Sequence, residues 1–150
     1  MNPMAFWVLV ATIFYSHGLK GEDLCPKTIL LTGGTGYIGS HLAVVLLQNG
    51  YDVVIVDDLS NSKRSVIEGI EATASRQVKA FYQCDLCDDK LLHKVFEEHA
   101  IDAVAHLAGY KAVGESVDKP LSYYRNNLLS TLNLLDAMKE WGCKKLIFSS

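Results

Sequence analysis

The stretch TGGTGYIG at residues 32–39 follows the apolar run Ile29-Leu30-Leu31 and precedes a segment with helical hydrophobic spacing. Two glycine spacings overlap in it: Gly34, Gly36 and Gly39 fit G-x-G-x-x-G, while Gly33, Gly36 and Gly39 fit G-x-x-G-x-x-G. A chain that turns sharply from strand to helix, brings backbone N–H groups close to a pyrophosphate and packs the helix tightly on the strand needs residues without a Cβ at such positions. The helix start adds partial positive charge, worth about 0.3–1 kcal/mol to an anion and up to ~2 when partly buried. Three glycines also occur in ordinary structural turns, so context decides. The helical pattern Ile38, Leu42, Val45, Leu46 follows, Asn49-Gly50 stops it, and the strand pattern VVIVDD ends in Asp57 and Asp58. Asp57 stands 18 residues past Gly39, close to the separation of ~20 at which an acid reaches the ribose hydroxyls of a bound dinucleotide.

Outward from this turn the chain alternates strand and helix patterns. Strands are expected at 27–32, 52–57, 78–84, 101–107 and 144–149, which implies a parallel sheet with right-handed crossovers. Between them come a helix at about 37–48 and one at about 65–75 with Val66, Ile67, Ile70 and Ala74 on its apolar positions. The next helix is capped by Asp88 and turns Leu91, Leu92, Val95 and Phe96 inward. Residues 108–119 form the longest connection, and long loops at strand ends carry function. Lys111, flanked by Gly109 and Gly114, is the candidate ligand-facing cation there. Pro120 opens a helix whose Leu121, Tyr124, Leu128, Leu132, Leu135 and Met138 keep helical spacing until Gly142. Asn126 falls beside that stripe. The sequence ends on Phe148-Ser149-Ser150, at the carboxyl end of a strand where an open α/β sheet places its ligand, so the chain reads as a fragment.

Of the 150 residues, 49% are hydrophobic and 21% charged, with net charge −3, as for one soluble globular domain. The 14 Lys and Arg are dispersed among 17 acids, with only Lys63-Arg64 and Lys144-Lys145 adjacent, which excludes a nucleic-acid partner. Cys25, Cys84, Cys87 and Cys143 read as reduced thiols, and the C-x-x-C at 84–87 has no second pair to complete a zinc site, so no metal is expected. His41, His93 and His99 fall on helix faces and read as structural; His106 reads as core. Residues 1–18 carry no charge, and 4–15 are apolar except for Thr12. That run is shorter than the ~20 residues of a membrane span. It suits a signal-peptide core, but no Lys or Arg precedes it. Residues 1–26 are therefore set aside as an apolar extension, with the domain at 27–150. A cytoplasmic location is expected, a signal or membrane anchor being the alternative.

The segments TGGTGYIGSH, DLSNSKRS, HLAGYKAVGES, KPLSYYRNN and LIFSS together resemble the UDP-glucose 4-epimerase family of extended short-chain dehydrogenases/reductases, over residues 27–150. The resemblance implies a Rossmann-like doubly wound parallel sheet, incomplete at about five strands, and NAD as cofactor. It places Gly33, Gly36, Tyr37, Ile38 and Gly39 around the pyrophosphate, and Asp57, Asp58, Asn61 and Ser62 around the adenosine ribose and phosphate. Asp85 and Leu86 would border the adenine, Leu107, Ala108 and Lys111 the nicotinamide side, and Asn126 would hold the loop and cofactor from the long helix. The sequence departs from the family pattern with Leu107 for Phe, Tyr110 for Leu, Asp58 for Asn and Ser130 for Gly. The implied reaction is epimerisation at C4 of a UDP-hexose in galactose metabolism, with a catalytic tyrosine whose pKa is lowered by a lysine and the nicotinamide charge. That Tyr-x-x-x-Lys pair is expected beyond Ser150, since Asn127 and Leu128 stand four residues after Tyr123 and Tyr124. Most of the UDP-hexose pocket would lie there too, so the fragment alone is expected to be inactive. A related nucleotide-sugar dehydratase or decarboxylase and a non-catalytic NAD-binding module stay open as alternatives, as does a homodimer for the intact protein.

Overall fold

The computed structural model describes residues 28–149. The extension at 1–26, Cys25, Lys27 and Ser150 lie outside the described residues. Five parallel strands, β1 Thr28–Thr32, β2 Asp52–Asp57, β3 Ala80–Gln83, β4 Ala103–His106 and β5 Leu146–Phe148, form one sheet in the order β3-β2-β1-β4-β5. They alternate with helices α1 Tyr37–Gln48, α2 Ser65–Ala74, α3 Asp89–Glu98, α4 Val113–Asp118 and α5 Pro120–Glu140.

The central strands are buried on both faces, which is why they read as unbroken Val, Ile and Leu runs. Side chains alternate between two cores. Leu30, Val54, Val56 and Val104 face α3 and α5 through Leu92, Phe96, Leu134 and Met138. Ile29, Leu31, Val53, Ile55 and Ala105 face α1 and α2 through Ala43, Leu47, Ile70 and Ala74. The register pairs Thr32 with both Val56 and His106, so the carboxyl ends of β1, β2 and β4 lie level. Sequence order reverses between β1 and β4, and a crevice opens there.

Local chemistry fixes the helix ends. The Asp88 carboxylate accepts from the backbone N–H of Lys90 and Leu91 at 3.1 and 3.3 Å, a cap worth about 0.5–2 kcal/mol. Pro120 occupies the first turn of α5, where its missing N–H costs nothing.

Several expectations are corrected. Strands β3, β4 and β5 are shorter than expected, and the connection at 108–119 contains α4. Leu91 does not turn inward but is exposed, Leu92, Val95 and Phe96 supplying the buried face of α3. On α5, Leu121, Tyr124, Leu128, Leu132 and Leu135 keep their spacing but are exposed; the face on the sheet is Ser130, Leu134, Ala137 and Met138. The helix carries two apolar stripes, and spacing identifies a helix without saying which stripe meets the sheet. His99 caps the C-terminus of α3 rather than lying on its face. Among the described residues no helix is long and apolar enough to cross a membrane.

Candidate functional site at the strand ends

The site begins where β1 runs out. Gly33 has φ +68°, and a Cβ there would lie 2.8 Å from the Ala108 backbone nitrogen, so the turn rests directly on the exit of β4. Thr32 stitches the two together: its Oγ1 accepts from the N–H of Leu107 at 3.2 Å and of Ala108 at 3.3 Å. Gly36 is the N-cap of α1 and offers no side chain to its first-turn amides. Tyr37, Ile38 and Gly39 follow it along an opening beside the turn. Backbone donors at a helix start, with no side-chain cap, suit an anion.

The acidic end comes from β2. Asp57 accepts from the Thr35 N–H at 3.0 Å through Oδ2, and from the Leu59 N–H at 2.9 Å and the Ser62 hydroxyl at 3.3 Å through Oδ1. The Thr35 and Ser62 hydroxyls meet at 2.6 Å, so the glycine turn and the loop after β2 are joined twice. Asp58 is exposed and accepts from the Ser60 N–H and hydroxyl. Across the crevice, Asp85 accepts from the Cys87 N–H at 2.8 Å, and Asn133 donates to the Leu86 carbonyl at 3.0 Å. Burial, reinforced by neighbouring carboxylates, pushes the Cys84 and Cys87 thiols up to about 11, which leaves both as poor nucleophiles and poor metal ligands near neutrality. Cys84, Cys87 and Cys143 are free thiols. Among the described residues no three His, Cys, Asp or Glu side chains gather as a metal would require.

The third wall is the loop after β4. Asn127 clamps it, its Oδ1 accepting from the Tyr110 N–H at 2.8 Å and its Nδ2 donating to the Tyr110 carbonyl at 3.0 Å. Gly109, at φ +153°, passes so close that a Cβ would stand 3.3 Å from the Asn127 Oδ1. Asn126 instead lines the crevice and donates to Asn127 Oδ1 at 3.1 Å. Holding the loop therefore falls to Asn127, one residue from the expected position.

Gly33, Gly36, Asp57, Asp58, Asn61 and Ser62 line one continuous crevice with Asp85, Leu86, Leu107, Ala108, Lys111 and Asn126. Tyr37, Ile38 and Gly39 line its neighbour, which shares Gly33, Gly36 and Lys111 with it. Thr35, Ser60, Asn127 and Thr131 are not among the expected site residues, and Tyr110 and Ser130 stand only as departures from the family pattern. YYRNN offers two adjacent amides, and a helix turns successive side chains about 100° apart, so only the packing of α5 distinguishes them. Three carboxylates line the crevice at Asp57, Asp58 and Asp85, and Lys111 is the cation among its lining residues.

A parallel sheet with its crevice at the switch point, a glycine turn that leads into an uncapped helix, and an acid at the end of β2 define a Rossmann-type dinucleotide-binding domain. The turn has the tight backbone approaches that such a ligand needs, so the residues present fit a dinucleotide. More narrowly, the chain belongs to the NAD dependent epimerase/dehydratase family, whose pattern matches residues 29–150. It is 54% identical over 123 residues to the UDP-glucose 4-epimerase uge1 of Schizosaccharomyces pombe, covering 82% of this chain and 34% of that protein. A Klebsiella pneumoniae UDP-glucose 4-epimerase is 50% identical over 122 residues, covering 81% of this chain and 87% of that sequence. Among solved structures, the Bifidobacterium longum UDP-glucose 4-epimerase in complex with NAD+ and UDP superimposes with a TM-score of 0.80 at 50% identity, over 82% of this chain and 36% of that one. The Stenotrophomonas maltophila enzyme, with bound NAD and formylated UDP-arabinopyranose, also gives 0.80, at 46% identity over 83% of this chain and 37% of that one. This chain thus spans about a third of the yeast relative and of both structures.

Proposed function

We propose that residues 28–149 are the NAD-binding part of a UDP-glucose/UDP-galactose 4-epimerase, an isomerase of galactose and nucleotide-sugar metabolism. The observation that carries this reading is the level convergence of the glycine turn, Asp57 and Lys111 at the ends of β1, β2 and β4. Gly33, Gly36, Tyr37, Ile38 and Gly39 would hold the pyrophosphate. Asp57, with Asp58, Asn61 and Ser62, would take the adenosine ribose and its phosphate, while Asp85 and Leu86 border the adenine. Leu107, Ala108, Lys111 and Asn126 would form the nicotinamide side. When bound, NAD supplies the hydride acceptor for the sugar carbon. This chain's own residues bind and orient it: the first-turn amides of α1, which no side chain caps, are free for an anion, and Asp57 offers carboxylate oxygens to hydroxyl donors.

The substrate in this reading is a UDP-hexose, and the relatives' names support a 4-epimerase over a dehydratase or decarboxylase. The sequence contains no Tyr-x-x-x-Lys, so the 150-residue chain by itself is proposed to bind NAD without interconverting UDP-sugars. The exposed stripe of α5, from Leu121 to Leu135, supports a homodimer. Free Cys84, Cys87 and Cys143 support a reducing, cytoplasmic location. The test is calorimetric titration of the purified chain with NAD and NADP, alongside an assay with UDP-galactose. Saturable NAD binding without turnover is expected; no NAD binding, or measurable interconversion, overturns the proposal.

A further inference from the structure

His106 ends β4 with its ring 1% exposed, Thr32 of β1 at one nitrogen and Thr131 of α5 at the other. Thr32 Oγ1 is 2.7 Å from Nδ1, and Thr131 Oγ1 is 3.1 Å from Nε2. Counting hydrogens assigns each bond. Thr32 Oγ1 accepts from the Ala108 amide and takes a share of the Leu107 N–H, whose nearer acceptor is the Thr32 carbonyl at 3.1 Å, so its own hydrogen is free to donate to Nδ1. The Thr131 hydroxyl donates to the Asn127 carbonyl at 2.7 Å, so it accepts from the His106 Nε2–H. The neutral ring with its hydrogen on Nε2 satisfies every partner. A second hydrogen, on Nδ1, would compete with the Leu107 and Ala108 amides for the lone pairs of Thr32 Oγ1. Thr32 from β1, Phe148 from β5 and Thr131 from α5 face the ring, and none of them titrates below neutrality. Burial also holds His106 below the ordinary histidine range.

We propose that His106 is a positioning residue for the crevice: as the Nε2–H imidazole it ties the start of the glycine turn and the Leu107-Ala108 wall to α5. The chain of bonds ends on Asn127, whose side chain holds the Tyr110 backbone, so the relay reaches both ends of the loop segment next to Lys111. The inference rests on the dinucleotide reading of the crevice. It assigns a role to a residue that touches neither cofactor nor substrate in that reading.

The test uses the 150-residue chain with 15N-labelled histidine, together with Thr131→Val, Thr131→Ser and His106→Gln. Long-range 1H–15N correlations at about pH 8, where histidine is neutral, should show His106 with its hydrogen on Nε2. Thr131→Val, which keeps shape and loses the acceptor, should shift the ring away from that tautomer and weaken NAD binding about tenfold. Thr131→Ser should restore both. Lowering the pH below the ordinary histidine range should weaken NAD binding more in the wild type than in His106→Gln. A ring protonated on Nδ1 alone, Thr131→Val binding NAD like the wild type, or parallel pH profiles would overturn the positioning role and leave the cofactor reading intact. A wild-type chain that fails to bind NAD would overturn both.

Discussion

Gly39 lies against Gly33 so closely that a Cβ built on it would stand 2.1 Å from the Gly33 carbonyl oxygen and 2.7 Å from the Gly34 Cα. Both neighbours are backbone and cannot rotate aside. The first turn of α1 therefore sits directly on the glycine turn, and Gly39→Ala should cost about 1–3 kcal/mol of stability by overpacking. Gly69, inside α2, has nothing within 4 Å of its ideal Cβ. Gly69→Ala should stabilise by about 0.5–1 kcal/mol through helix propensity. Urea unfolding of the two variants measures both signs, and equal effects would contradict the contact argument.

Asp57 holds the second position in this arrangement. Like charges about 4 Å apart cost on the order of 1–4 kcal/mol between water and a partly screened surface, so Asp57 and Asp58 should oppose the 2′-phosphate of NADP. Among the described residues Arg64 forms no ion pair with either carboxylate; its guanidinium lies 5.2 Å from the Phe81 ring centre on β3. Asp57→Ser should narrow the NAD-over-NADP affinity ratio by about tenfold, equivalent to ~1.4 kcal/mol. The same change removes the acceptor of the Thr35 and Leu59 amides and should weaken binding of both cofactors together. The ratio isolates the charge effect; a ratio equal to wild type would show that Asp57 does not meet the ribose.

The sheet, the helices and the crevice were legible because each rests on a local signal. Buried Val-Ile runs mark β1 and β2, Asp88 marks a helix start, and glycine spacing marks the turn. Rotation about a helix axis was not legible. The exposed stripe from Leu121 to Leu135 and the buried face of Leu134, Ala137 and Met138 share the same period, and only the sheet beneath selects between them. The same rotation puts Asn127, rather than Asn126, on the Tyr110 backbone. Thr35 escaped notice for another reason: its contacts with Asp57 and Ser62 join residues 22 and 27 positions apart, which no local pattern records.

At the far edge of the sheet, Tyr82 of β3 donates to the Glu98 carboxylate, and its oxygen lies 2.8 Å from His99 Nε2. Burial first, then the Glu98 hydrogen bond, pushes the phenol from 10.0 up to about 12. A raised folded value means the unfolded chain loses its proton first. The stabilisation is therefore complete below pH ~10 and lost as pH rises toward the folded value. Tyr82→Phe should be less stable than wild type at neutral pH, with the gap closing at alkaline pH. Chemical unfolding of both proteins along that range measures it; a gap constant with pH would mean the phenol does not titrate as described.

Lys111 gives the sharpest test of the crevice. It lies on the loop after β4, between the Asn127-clamped Tyr110 and α4, and borders both the main crevice and its neighbour. Among the described residues no carboxylate lies within ion-pairing distance of it. Its ammonium is thus a cation left to solvent or to a ligand, in a crevice it shares with the carboxylates of Asp57, Asp58 and Asp85. Parallel strands present their carboxyl ends to the ligand, so this charge should border the nicotinamide half of NAD. An exposed lysine with only structural duties changes stability by no more than about 0.5 kcal/mol and leaves ligand affinity alone. Lys111→Ala should instead leave thermal stability within that range while weakening NAD binding by about tenfold, as the loss of a charge-assisted hydrogen bond would. Melting curves separate the two readings when taken without NAD and again with excess NAD. The variant should match wild type without cofactor and gain less from it, because stabilisation by a ligand grows with its concentration over its dissociation constant. Equal gains would remove Lys111 from the binding site.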